Sequence, residues 1–547
     1  MLSERPAFAI APTNRSIGRP RQLWLPFQAI DPRCARRPQQ PFYRPHFPFA
    51  SFLMQMDGVP DPPAPNYVSP LSTRYASAAM RSNFADEARF RTWRQLWYVL
   101  AESERELGLD ITEAQVRALR EAADPHYPLP LREAAAYEKR LRHDVMAHVH
   151  ALGDQVPVAR PIIHLGATSC FVTDNSELVQ QRRALELLSP TLWLAIRALA
   201  EFAGRYRDLA TLAYTHFQAA QPTTVGKRAC LWIQDLMMDA LQLEAAAASL
   251  RFRGVKGTTG TQASFLALFH GDHDKVKQLD EVVTRKMGFA QVFPVTGQTY
   301  PRKQDFVVLA ALAGVGQSAA KFAHDVRLLQ HLKEVEEPFE VEQVGSSAMA
   351  YKRNPMRSER INSLARFLQT LLLNPAETAS TQWLERTLDD SANRRLAISE
   401  AFLATDAILQ LVLNVSRGLV VYPNVIRKHL REELPFMATE HILMRAVQAG
   451  GDRQTLHEAL RQHSVAAGRR VKQDGLENDL LERVRSDARF AAVHDSLDGL
   501  CDGALFIGRA PEQVDDFLKE HVWPALESRR ELLDACERGA AAGVLRV

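Results

Sequence analysis

Long stretches free of helix-breaking residues most constrain what this 547-residue chain can fold into. Residues 169–420 contain only seven prolines, and helix-forming residues fill segments that often exceed twenty residues. Helices of this length must bury their apolar faces against each other, so a bundle is the simplest architecture. The sequence therefore predicts an all-α fold whose central bundle contains the segments Ser176–Arg207, Val225–Phe252, Lys303–Leu332, Ser358–Leu373 and Asp390–Ser416.

Two other helical regions flank the predicted bundle. Before it, the spacing of Phe90, Trp93, Trp97 and Leu100 places these side chains on one face of a helix. After it, a Val-Val-Tyr-Pro break at 420–423 begins a zone of shorter helices and more turns. We predict four parts, namely a disordered Arg- and Pro-rich extension at 1–66, an N-terminal helical domain at 67–168, the bundle at 169–421 and a C-terminal helical domain at 422–547.

Composition excludes several classes of protein. The net charge of +3 gives no overall nucleic-acid footprint. None of the five cysteines forms a Cys-x-x-Cys pair, which argues against zinc ribbons, thioredoxin-type redox sites and disulfide scaffolds. Well-separated cysteines favour a reducing compartment, and we expect the cytoplasm. Because no run of 18 apolar residues occurs, we predict no membrane-spanning segment.

The charge is distributed unevenly. Residues 1–55 hold eight arginines, no lysine and two acidic residues, so this stretch carries +6 and the remainder −3. Fourteen of the 30 prolines lie in residues 1–70, which disfavours regular helix or sheet there. Three interpretations stay open: a disordered tail or sequence upstream of a true start at Met54 or Met56, an organelle transit peptide, or a nucleic-acid-binding arm.

Polar loops between the long helices hold the candidate functional groups. Residues 345–355 combine a glycine, two hydroxyls, two cations and an amide. Such a loop can close on an anionic ligand, although a solvated linker has a similar composition. His216 stands among amides and hydroxyls just before a predicted helix, where it is either a general acid or base or a capped surface histidine.

Three further segments are rich in groups that bind anions. The run Arg142-His143-Asp144 suits a grip on an anion better than a metal site, because no His-Glu-x-x-His pattern occurs. Residues 254–261 are glycine-rich with one lysine, which suits an anion cradle or a flexible turn, but they lack the ending of a P-loop. Residues 385–395 carry three arginines with Ser391 at a predicted N-cap, which suits a phosphate or a salt-bridged helix start.

The loop at 345–355, Gly-Ser-Ser-Ala-Met-Ala-Tyr-Lys-Arg-Asn-Pro, resembles the signature of the fumarase/aspartase superfamily, Gly-Ser-Ser-x-Met-Pro-x-Lys-x-Asn-Pro. Within that superfamily the chain is similar to the adenylosuccinate lyase family of the animal type, from about Tyr67 to about Leu526. The motifs that carry this second resemblance are Thr-His-Phe-Gln-x-Ala-Gln, Arg-His-Asp-Val-Met-Ala-His, His-Leu-Gly-Ala-Thr-Ser-Cys, Lys-Gly-Thr-Thr-Gly-Thr-Gln-Ala-Ser-Phe and Arg-Thr-Leu-Asp-Asp-Ser-Ala-Asn-Arg-Arg.

The resemblance implies a β-elimination that releases fumarate, from adenylosuccinate to give AMP and from the succinyl-carboxamide ribotide SAICAR to give AICAR. The proton to be removed lies beside a carboxylate, so the carbanion needs cations and donors around it. Ser346 matches the base that takes this proton, and Lys352 and Asn354 would bind the carboxylate where charge develops. His216 matches the acid that protonates the departing nitrogen, and Glu359 would pair with that histidine.

The other motifs imply how the nucleotide is held. Arg74 and Tyr75 would grip its phosphate, and His143 would lie near the reacting centre, where it is an alternative base. The remaining substrate-binding residues implied by the resemblance are Arg142, Asp144, Thr168, Ser169, Gln298, Arg360, Arg386, Ser391 and Arg395. The resemblance also implies a homotetramer whose sites draw on three subunits, and small-molecule purine nucleotide substrates. It implies no nucleic-acid or membrane partner and no metal or organic cofactor.

Two positions depart from the family pattern. Ala350 and Ala219 stand where proline is usual, and Ala350 would leave the signature loop less restricted. Another lyase of the superfamily, such as argininosuccinate lyase, is an alternative, but arginines of the phosphate-binding type argue against it. A catalytically silent, crystallin-like structural protein is a second alternative, which the intact reacting residues disfavour.

Overall fold

Residues 66–540 are described by a computed structural model, and they begin with a small helical region. The interpretations of the first 55 residues concern a stretch outside the described residues. Trp93, Trp97 and Leu100 are buried, as their predicted common face requires, and Phe90 is half-buried. This region begins with a π-helical turn at Leu71–Tyr75 and ends with a 3-10 turn at Arg160–Ile162. Its helices are α1 (Ala78–Asn83), α2 (Asp86–Glu106), α3 (Glu113–Ala122), α4 (Leu131–Leu141) and α5 (Asp144–Gln155).

The central region contains the predicted bundle. Its helices are α6 (Ser169–Arg205), α7 (Val225–Ser249), α8 (Ala263–Leu268), α9 (His273–Lys286), α10 (Lys303–His331), α11 (Met356–Leu371), α12 (Leu373–Ser380) and α13 (Asp389–Gly418). The helices α6, α7, α10, α11 and α13 pack side by side, and they correspond to the five predicted segments. The clearest difference is at the start of α6, which begins at Ser169 instead of Ser176.

Short strands interrupt the helices at four places in the described chain, namely β1 (Ala210–Thr215), β2 (Gln218–Thr224), β3 (Val335–Glu336) and β4 (Val420–Val421). β1 and β2 form an antiparallel hairpin, with His216 and Phe217 at its tip in the left-handed region, at φ 53° and 56°. β3 pairs antiparallel with β4. The hairpin was not predicted, because the sequence of β2 is polar and shows no apolar alternation.

The C-terminal region contributes to three hydrophobic cores, the smallest of which joins Leu430 and Leu434 to Leu212 of β1. Ile442, Leu456, Leu480 and Phe490 build a separate core within it. Val514, Val522 and other late residues join the main core, which extends from the N-terminal region through the bundle. The predicted domain limits at 168 and 421 therefore stay a prediction. The helices here are α14 (Pro423–Met437), α15 (Thr439–Gln448), α16 (Arg453–Lys472), α17 (Leu480–Arg485), α18 (Leu497–Leu500), α19 (Ala510–Phe517), α20 (Trp523–Glu527) and α21 (Arg530–Ala540).

Two bundle helices are long and apolar enough to cross a membrane when judged by length and composition alone. These are α10 and α13, with a mean hydropathy of 1.5 and 1.7 over their most apolar 18 residues. Within the protein, 50% and 72% of those windows are buried. Both helices therefore serve as core helices of the bundle.

Candidate active site

The signature loop connects α10 to α11 and has a firmly anchored stem. The Glu337 carboxylate accepts hydrogen bonds from Arg357 N at 2.9 Å and from the N and Oγ of Ser358 at 2.8 Å each, which caps the start of α11. Burial raises the pKa of Glu337, and these same donors oppose the shift. Arg357, also buried, donates to Pro338 O at 2.7 Å and to Glu340 Oε1 at 2.9 Å. The two ends of the loop are thus fixed to each other.

The outer span of the loop mainly contacts itself. Ser346 Oγ accepts hydrogen bonds from the backbone N–H groups of Ala348 (3.3 Å) and Met349 (3.1 Å). Asn354 Nδ2 donates to Gly345 O at 2.9 Å, where the two arms of the loop cross. A Cβ at residue 345 would lie 2.2 Å from the carbonyl oxygen of Lys352, so this crossing requires the signature glycine. The ammonium group of Lys352 is exposed and has no partner among residues 66–540.

A cluster of cations forms where the π-helical turn meets α11. The guanidinium carbon of Arg360 lies 5.5 Å from the centre of the Tyr75 ring. Burial lowers the pKa of Arg360, Tyr75 opposes this shift, and the positive charge of Arg74 adds to it. Arg360 Nη1 is buried without a hydrogen-bond partner in the described chain. A desolvated donor beside a second cation is a site that an anionic oxygen would stabilise.

A second group of predicted site residues surrounds His143. His143 caps α5, because its Nδ1 accepts the N–H of Met146 at 3.3 Å, and its Nε2 lies 3.2 Å from Ser169 Oγ. A neutral ring that accepts at Nδ1 carries its proton on Nε2, so His143 has a donor facing the start of α6. Arg395 donates to the Asp144 carboxylate at 3.4 Å, which brings α13 to the same place.

Arg142 and Thr168 lie at the ends of helices next to this group. Arg142 is exposed and closes α4 in the left-handed conformation, at φ 54°. Thr168 occupies the N-cap position of α6, yet its side chain makes no capping hydrogen bond. Both side chains are thus available beside His143 and Ser169.

His164 belongs to the same group, although no role was predicted for it. Trp97 Nε1 donates to His164 Nδ1 at 2.9 Å. Burial, followed by electrostatic interaction with His143 and Arg253, lowers the pKa of His164 to about 4. The ring is therefore neutral at physiological pH and keeps a donor on Nε2. The signal was available, because His164 begins the His-Leu-Gly-Ala-Thr-Ser-Cys motif on which the resemblance drew.

Gln298 joins three segments of the site. Its backbone N–H donates to Glu385 O at 3.0 Å, and its Nε2 donates to Thr258 O at 3.0 Å. Its Oε1 accepts from Cys170 Sγ at 3.6 Å. The amide side chain is thereby fixed between the glycine-rich loop and the start of α6, with the Arg386 segment bound to its backbone.

The glycine-rich loop at 254–261 does not display its one lysine to solvent, and an anion cradle formed by its backbone N–H groups stays a prediction. Lys256 is buried and pairs with Asp280, so it is not available to an anion. The start of the loop is anchored, because the fully buried Arg253 donates to Gln298 O at 2.8 Å and to Gly257 O at 2.9 Å. The loop therefore serves as a fixed wall beside Gln298.

Arg386 and Ser391 lie at the start of α13. Arg386 Nη1 donates to both carboxylate oxygens of Asp390, at 3.0 and 3.1 Å. The prediction that Ser391 is an N-cap is wrong: α13 begins at Asp389, so Ser391 lies in its first turn, and the N-cap residue Leu388 makes no side-chain cap. Because acidic side chains are favourable in the first turn of a helix, Asp389 and Asp390 allow α13 to begin about one turn earlier than a cap at Ser391 would place it.

The side chains of His216 and Glu359 make no hydrogen bond or ion pair with another predicted site residue in the described chain. His216 is exposed at the hairpin tip, and among residues 66–540 it makes no hydrogen bond or ion pair with Ser346, Lys352 or Glu359. Glu359 lines an open groove of about 850 Å³ between α10 and α11, together with Lys321, His324 and Arg366. The described chain thus brings the binding groups together in clusters, but it does not assemble base and acid around one point.

The histidines that follow His143 have ordinary packing roles. The ring of His148 stacks on Phe90 with centroids 3.9 Å apart, and burial, followed by the charge of Arg89, lowers its pKa to about 4. His150 stacks on Tyr137 at 5.2 Å. These two rings thus face different neighbours. Among the described residues, no group of three or more His, Cys, Asp or Glu side chains has the arrangement of a metal site.

Solved structures resemble this fold across most of the chain. The 3-carboxy-cis,cis-muconate lactonizing enzyme from Pseudomonas putida superimposes with a TM-score of 0.71 and 22% identity, covering 82% of this chain and 98% of that one. A fumarate lyase from Mesorhizobium sp. BNC1 gives 0.70 and 23%, covering 83% and 100%. At this identity the likeness concerns the fold alone, and it confirms the predicted all-α fold with a central helical bundle.

Family models and curated relatives narrow the assignment. Residues 73–368 match the family model described as Lyase, and residues 435–517 match the model of the adenylosuccinate lyase C-terminus. The adenylosuccinate lyases of Schizosaccharomyces pombe and Saccharomyces cerevisiae are each 53% identical to this chain, covering 86% of it and 97% of each relative. That of Schistosoma mansoni is 49% identical, with coverage of 85% and 97%. The chain therefore belongs to the adenylosuccinate lyase family of the fumarase/aspartase superfamily.

Proposed function

We propose that the protein cleaves adenylosuccinate to AMP and fumarate, and SAICAR to AICAR and fumarate. The observation that carries this proposal is the signature loop, in which the predicted reacting residues Ser346, Lys352 and Asn354 are all present around the crossing at Gly345. The loop belongs to a chain that is 53% identical to adenylosuccinate lyases over most of its length. No described feature favours the argininosuccinate or crystallin-like alternative.

In the proposed reaction, Ser346 Oγ removes a proton from the succinyl carbon next to the carboxylate. The electron pair forms the C=C bond of fumarate as the C–N bond breaks, and His216 donates a proton to the departing nitrogen. A serine is a weak base, so nearby positive charge and exclusion of water must stabilise its oxyanion. Lys352 supplies that charge, and with Asn354 it stabilises the carboxylate on which charge builds up.

The proposed binding groups are divided between the two ends of the substrate. Arg74, Tyr75 and Arg360 hold the phosphate, and the support for this is the buried Arg360 Nη1 that lacks a partner in the described chain. The group around His143 and Ser169 holds the succinyl carboxylates, with His143 Nε2–H as one donor. The predicted ligands that complete this set are Arg142, Asp144, Thr168, Gln298, Arg386, Ser391 and Arg395.

We further propose that the active protein is a homotetramer with shared sites. Exposed apolar side chains line the outside of the bundle helices, namely Leu231, Met238 and Leu241 on α7, Val307 and Leu328 on α10, and Phe367 on α11. Apolar surface of this kind is typical of subunit interfaces. Among residues 66–540 the side chains of His216 and Glu359 have no hydrogen-bond or ion-pair partner, and contact between them across an interface would supply one.

The test of the activity is an absorbance assay of the purified protein with adenylosuccinate, SAICAR and argininosuccinate in parallel. We expect fumarate from the first two and none from the third. A protein that binds AMP but turns over none of them would contradict the catalytic proposal. Turnover of argininosuccinate alone would instead favour the alternative lyase.

The test of shared sites is a mixing experiment. His216→Ala and Ser346→Ala variants, each inactive alone, are dissociated, mixed and reassembled. If sites combine residues from different subunits, some sites in the mixture contain neither substitution, and a fraction of the activity returns. A mixture that remains inactive, together with a monomeric mass in analytical ultracentrifugation, would contradict the shared-site proposal.

A further inference from the structure

Asp390 is a buried carboxylate shared by two arginines. Its side chain is fully buried at the start of α13, and it accepts Arg302 Nε at 2.7 Å. It also accepts Arg386 Nη1 with both oxygens, at 3.0 and 3.1 Å. The Arg302 side chain is 2% exposed and that of Arg386 is 22% exposed, so Asp390 links an interior cation to one that reaches solvent.

Arg302 anchors this carboxylate to the bundle. Its Nη1 and Nη2 donate to the two oxygens of Asp174 at 3.2 and 3.1 Å, which is a bidentate pair with α6. Burial alone would lower the pKa of Arg302, as would the charge of Arg394, but Asp174 and other anionic neighbours raise it overall, so the guanidinium stays charged. Since Arg302 precedes α10, the chain Asp174–Arg302–Asp390 holds the starts of α6, α10 and α13 in one arrangement.

Arg386 is the outer end of this series of ion pairs, and one edge of its guanidinium group has no partner in the described chain. Nη1 is occupied by Asp390, whereas Nε and Nη2 have no partner among the described residues. These two N–H groups form a planar fork that matches a pair of carboxylate or phosphate oxygens. The neighbouring Glu385 O accepts the backbone N–H of Gln298 at 3.0 Å, so the fork lies beside a predicted substrate contact.

We propose that Asp390 is a positioning residue, which presents the Nε–Nη2 edge of Arg386 to two anionic oxygens of the substrate, and that Arg302 holds Asp390 in place. The identity of the substrate rests on the proposed function. A free arginine side chain loses considerable conformational entropy when it binds, and a carboxylate that fixes one nitrogen in advance reduces that loss. Asp390 therefore acts on substrate affinity through Arg386 and has no direct contact with the reaction.

The chain offers a matched control in a neighbouring buried ion pair. Asp305 accepts Arg394 Nε at 2.8 Å and Tyr300 Oη at 2.6 Å, and it is as buried as Asp390. It contacts neither Asp390 nor Arg386. Asp305→Asn thus removes a buried charge of the same kind without touching the fork, and it reports the cost of a merely structural change.

The experiment compares Asp390→Asn, Arg386→Ala, the double variant and Asp305→Asn by KM and kcat with adenylosuccinate and by melting temperature. We expect Asp390→Asn to raise KM roughly tenfold with a smaller change in kcat, and to have no further effect on KM in the Arg386→Ala background. Asp305→Asn should lower the melting temperature and leave KM unchanged. Additive effects of the two substitutions on KM, or an equal rise in KM from Asp305→Asn, would overturn the proposal.

Two additions keep the outcome decisive. If Asp390→Asn does not fold, Arg386→Lys tests the fork at its exposed end, because lysine keeps the charge but lacks the two-pronged edge; a normal KM would overturn the proposal. Inhibition by AMP and by fumarate identifies the oxygens that the fork binds. If the fork binds phosphate, Asp390→Asn should weaken inhibition by AMP. If it binds a carboxylate, the same substitution should weaken inhibition by fumarate. If the wild-type protein shows no turnover, the proposed function is contradicted. The inference about Asp390 is contradicted only if the wild-type protein is active and the variants behave differently from the expectation.

Discussion

The wall around Gln298 and the signature loop differ in how their side chains are held. In the wall, Arg253 is fully buried and Gln298 is bonded through its backbone and both ends of its amide. In the outer span of the loop, Ser346 contacts only the backbone of its own turn, and Lys352 has no side-chain partner in the described chain. The proposed binding groups of the wall are thus fixed in advance, whereas the proposed reacting groups of the loop lie on a segment with few contacts to the rest of the described chain.

This difference has a physical reason. Groups that bind the substrate lower the entropy cost of binding when the fold already holds them, and buried ion pairs do this well. A serine base, in contrast, functions only when water is excluded, which requires a segment that closes after the substrate enters. A fixed wall and an exposed reacting segment are therefore complementary requirements of one elimination site.

Ser346→Ala breaks the reacting side of the comparison and should give the largest effect. Removal of the base should lower kcat by about three orders of magnitude or more, with a modest change in KM, because the binding wall is untouched. Stability should change by less than about 0.5 kcal/mol, because the lost hydrogen bonds lie in an exposed turn. Stopped-flow or steady-state release of fumarate measures the first effect, and thermal unfolding the second.

The adjacent Ser347 provides the control for that experiment. It is exposed and its side chain has no hydrogen bond in the described chain, so Ser347→Ala should retain most of the wild-type kcat. If Ser347→Ala is the inactive variant and Ser346→Ala turns over normally, the assignment of the base is wrong.

Gly345→Ala tests whether the crossing of the loop arms positions the reacting groups. A Cβ there would lie 2.2 Å from Lys352 O, and the contact is with backbone, so the arms must separate. A displacement of about 1 Å at reacting groups can cost about 100-fold in rate, and we expect a loss of that size in kcat/KM. The melting temperature should change little, because the loop is outside the core.

Gly468→Ala in α16 is the matched control, because nothing lies within 4 Å of its added Cβ. It should leave activity unchanged and raise stability slightly, by up to about 1 kcal/mol, as alanine does in a helix interior. If Gly345→Ala behaves like this control, the crossing does not position Ser346, Lys352 and Asn354.

The sequence predicted the bundle well because its signal is local. Runs of helix-forming residues with few prolines determined the α7 and α10 starts at Val225 and Lys303. The same criterion gave no hint of the hairpin, since β2 reads Gln-Ala-Ala-Gln-Pro-Thr-Thr and its stability comes from pairing with β1. Pairing of this kind depends on the partner strand and leaves no periodic trace in one segment alone.

The site shows the same limit. The motif around Ser346 could be found in the sequence because its residues are contiguous and resemble the superfamily signature. The Asp174–Arg302–Asp390 chain could not, since its members are 88 and 128 residues from Arg302 and become neighbours only in the folded bundle. The misassigned cap at Ser391 and the buried Lys256 have one cause: a polar residue in a loop sequence does not reveal whether it faces solvent or a buried partner.

Glu104→Gln tests how much a buried carboxylate depends on its partner. It compares a buried acid that has no partner in the described chain with the paired acids around Arg302. Glu104 in α2 is fully buried, both its carboxylate oxygens lack a hydrogen-bond partner in the described chain, and burial raises its pKa well above the usual value. In the network around Arg302, by contrast, every buried carboxylate has a cation. We expect Glu104→Gln to stabilise the protein near neutral pH by about 1–3 kcal/mol, because deprotonation of a buried, unpaired acid is costly.

The pH dependence gives this prediction its sign. Because the folded pKa lies above the unfolded one, the protonated carboxyl of Glu104 stabilises the fold fully below about pH 4.5, and this contribution is lost as pH rises through the folded pKa. Glu104→Gln should therefore flatten the decline of melting temperature with rising pH above that point. Glu106→Gln, in the same helix but half-exposed, is the control and should change stability by less than about 0.5 kcal/mol. An unchanged pH profile would mean that Glu104 has a partner in solution.

Ala350→Pro should have the smallest effect and tests the mobility of the loop itself. The backbone N–H of Ala350 donates no hydrogen bond within the described chain, so proline removes none, and it restricts the open loop by about 0.4–1 kcal/mol. That corresponds to a rise of about two- to fivefold in kcat/KM if the restricted loop reaches its closed form more often. Ala348→Pro is the control within the same turn, because the Ala348 N–H donates to Ser346 Oγ at 3.3 Å, and its loss should lower activity. If both variants lose activity to the same extent, the loop requires the backbone freedom that Ala350 provides, and restricting it brings no gain in kcat/KM.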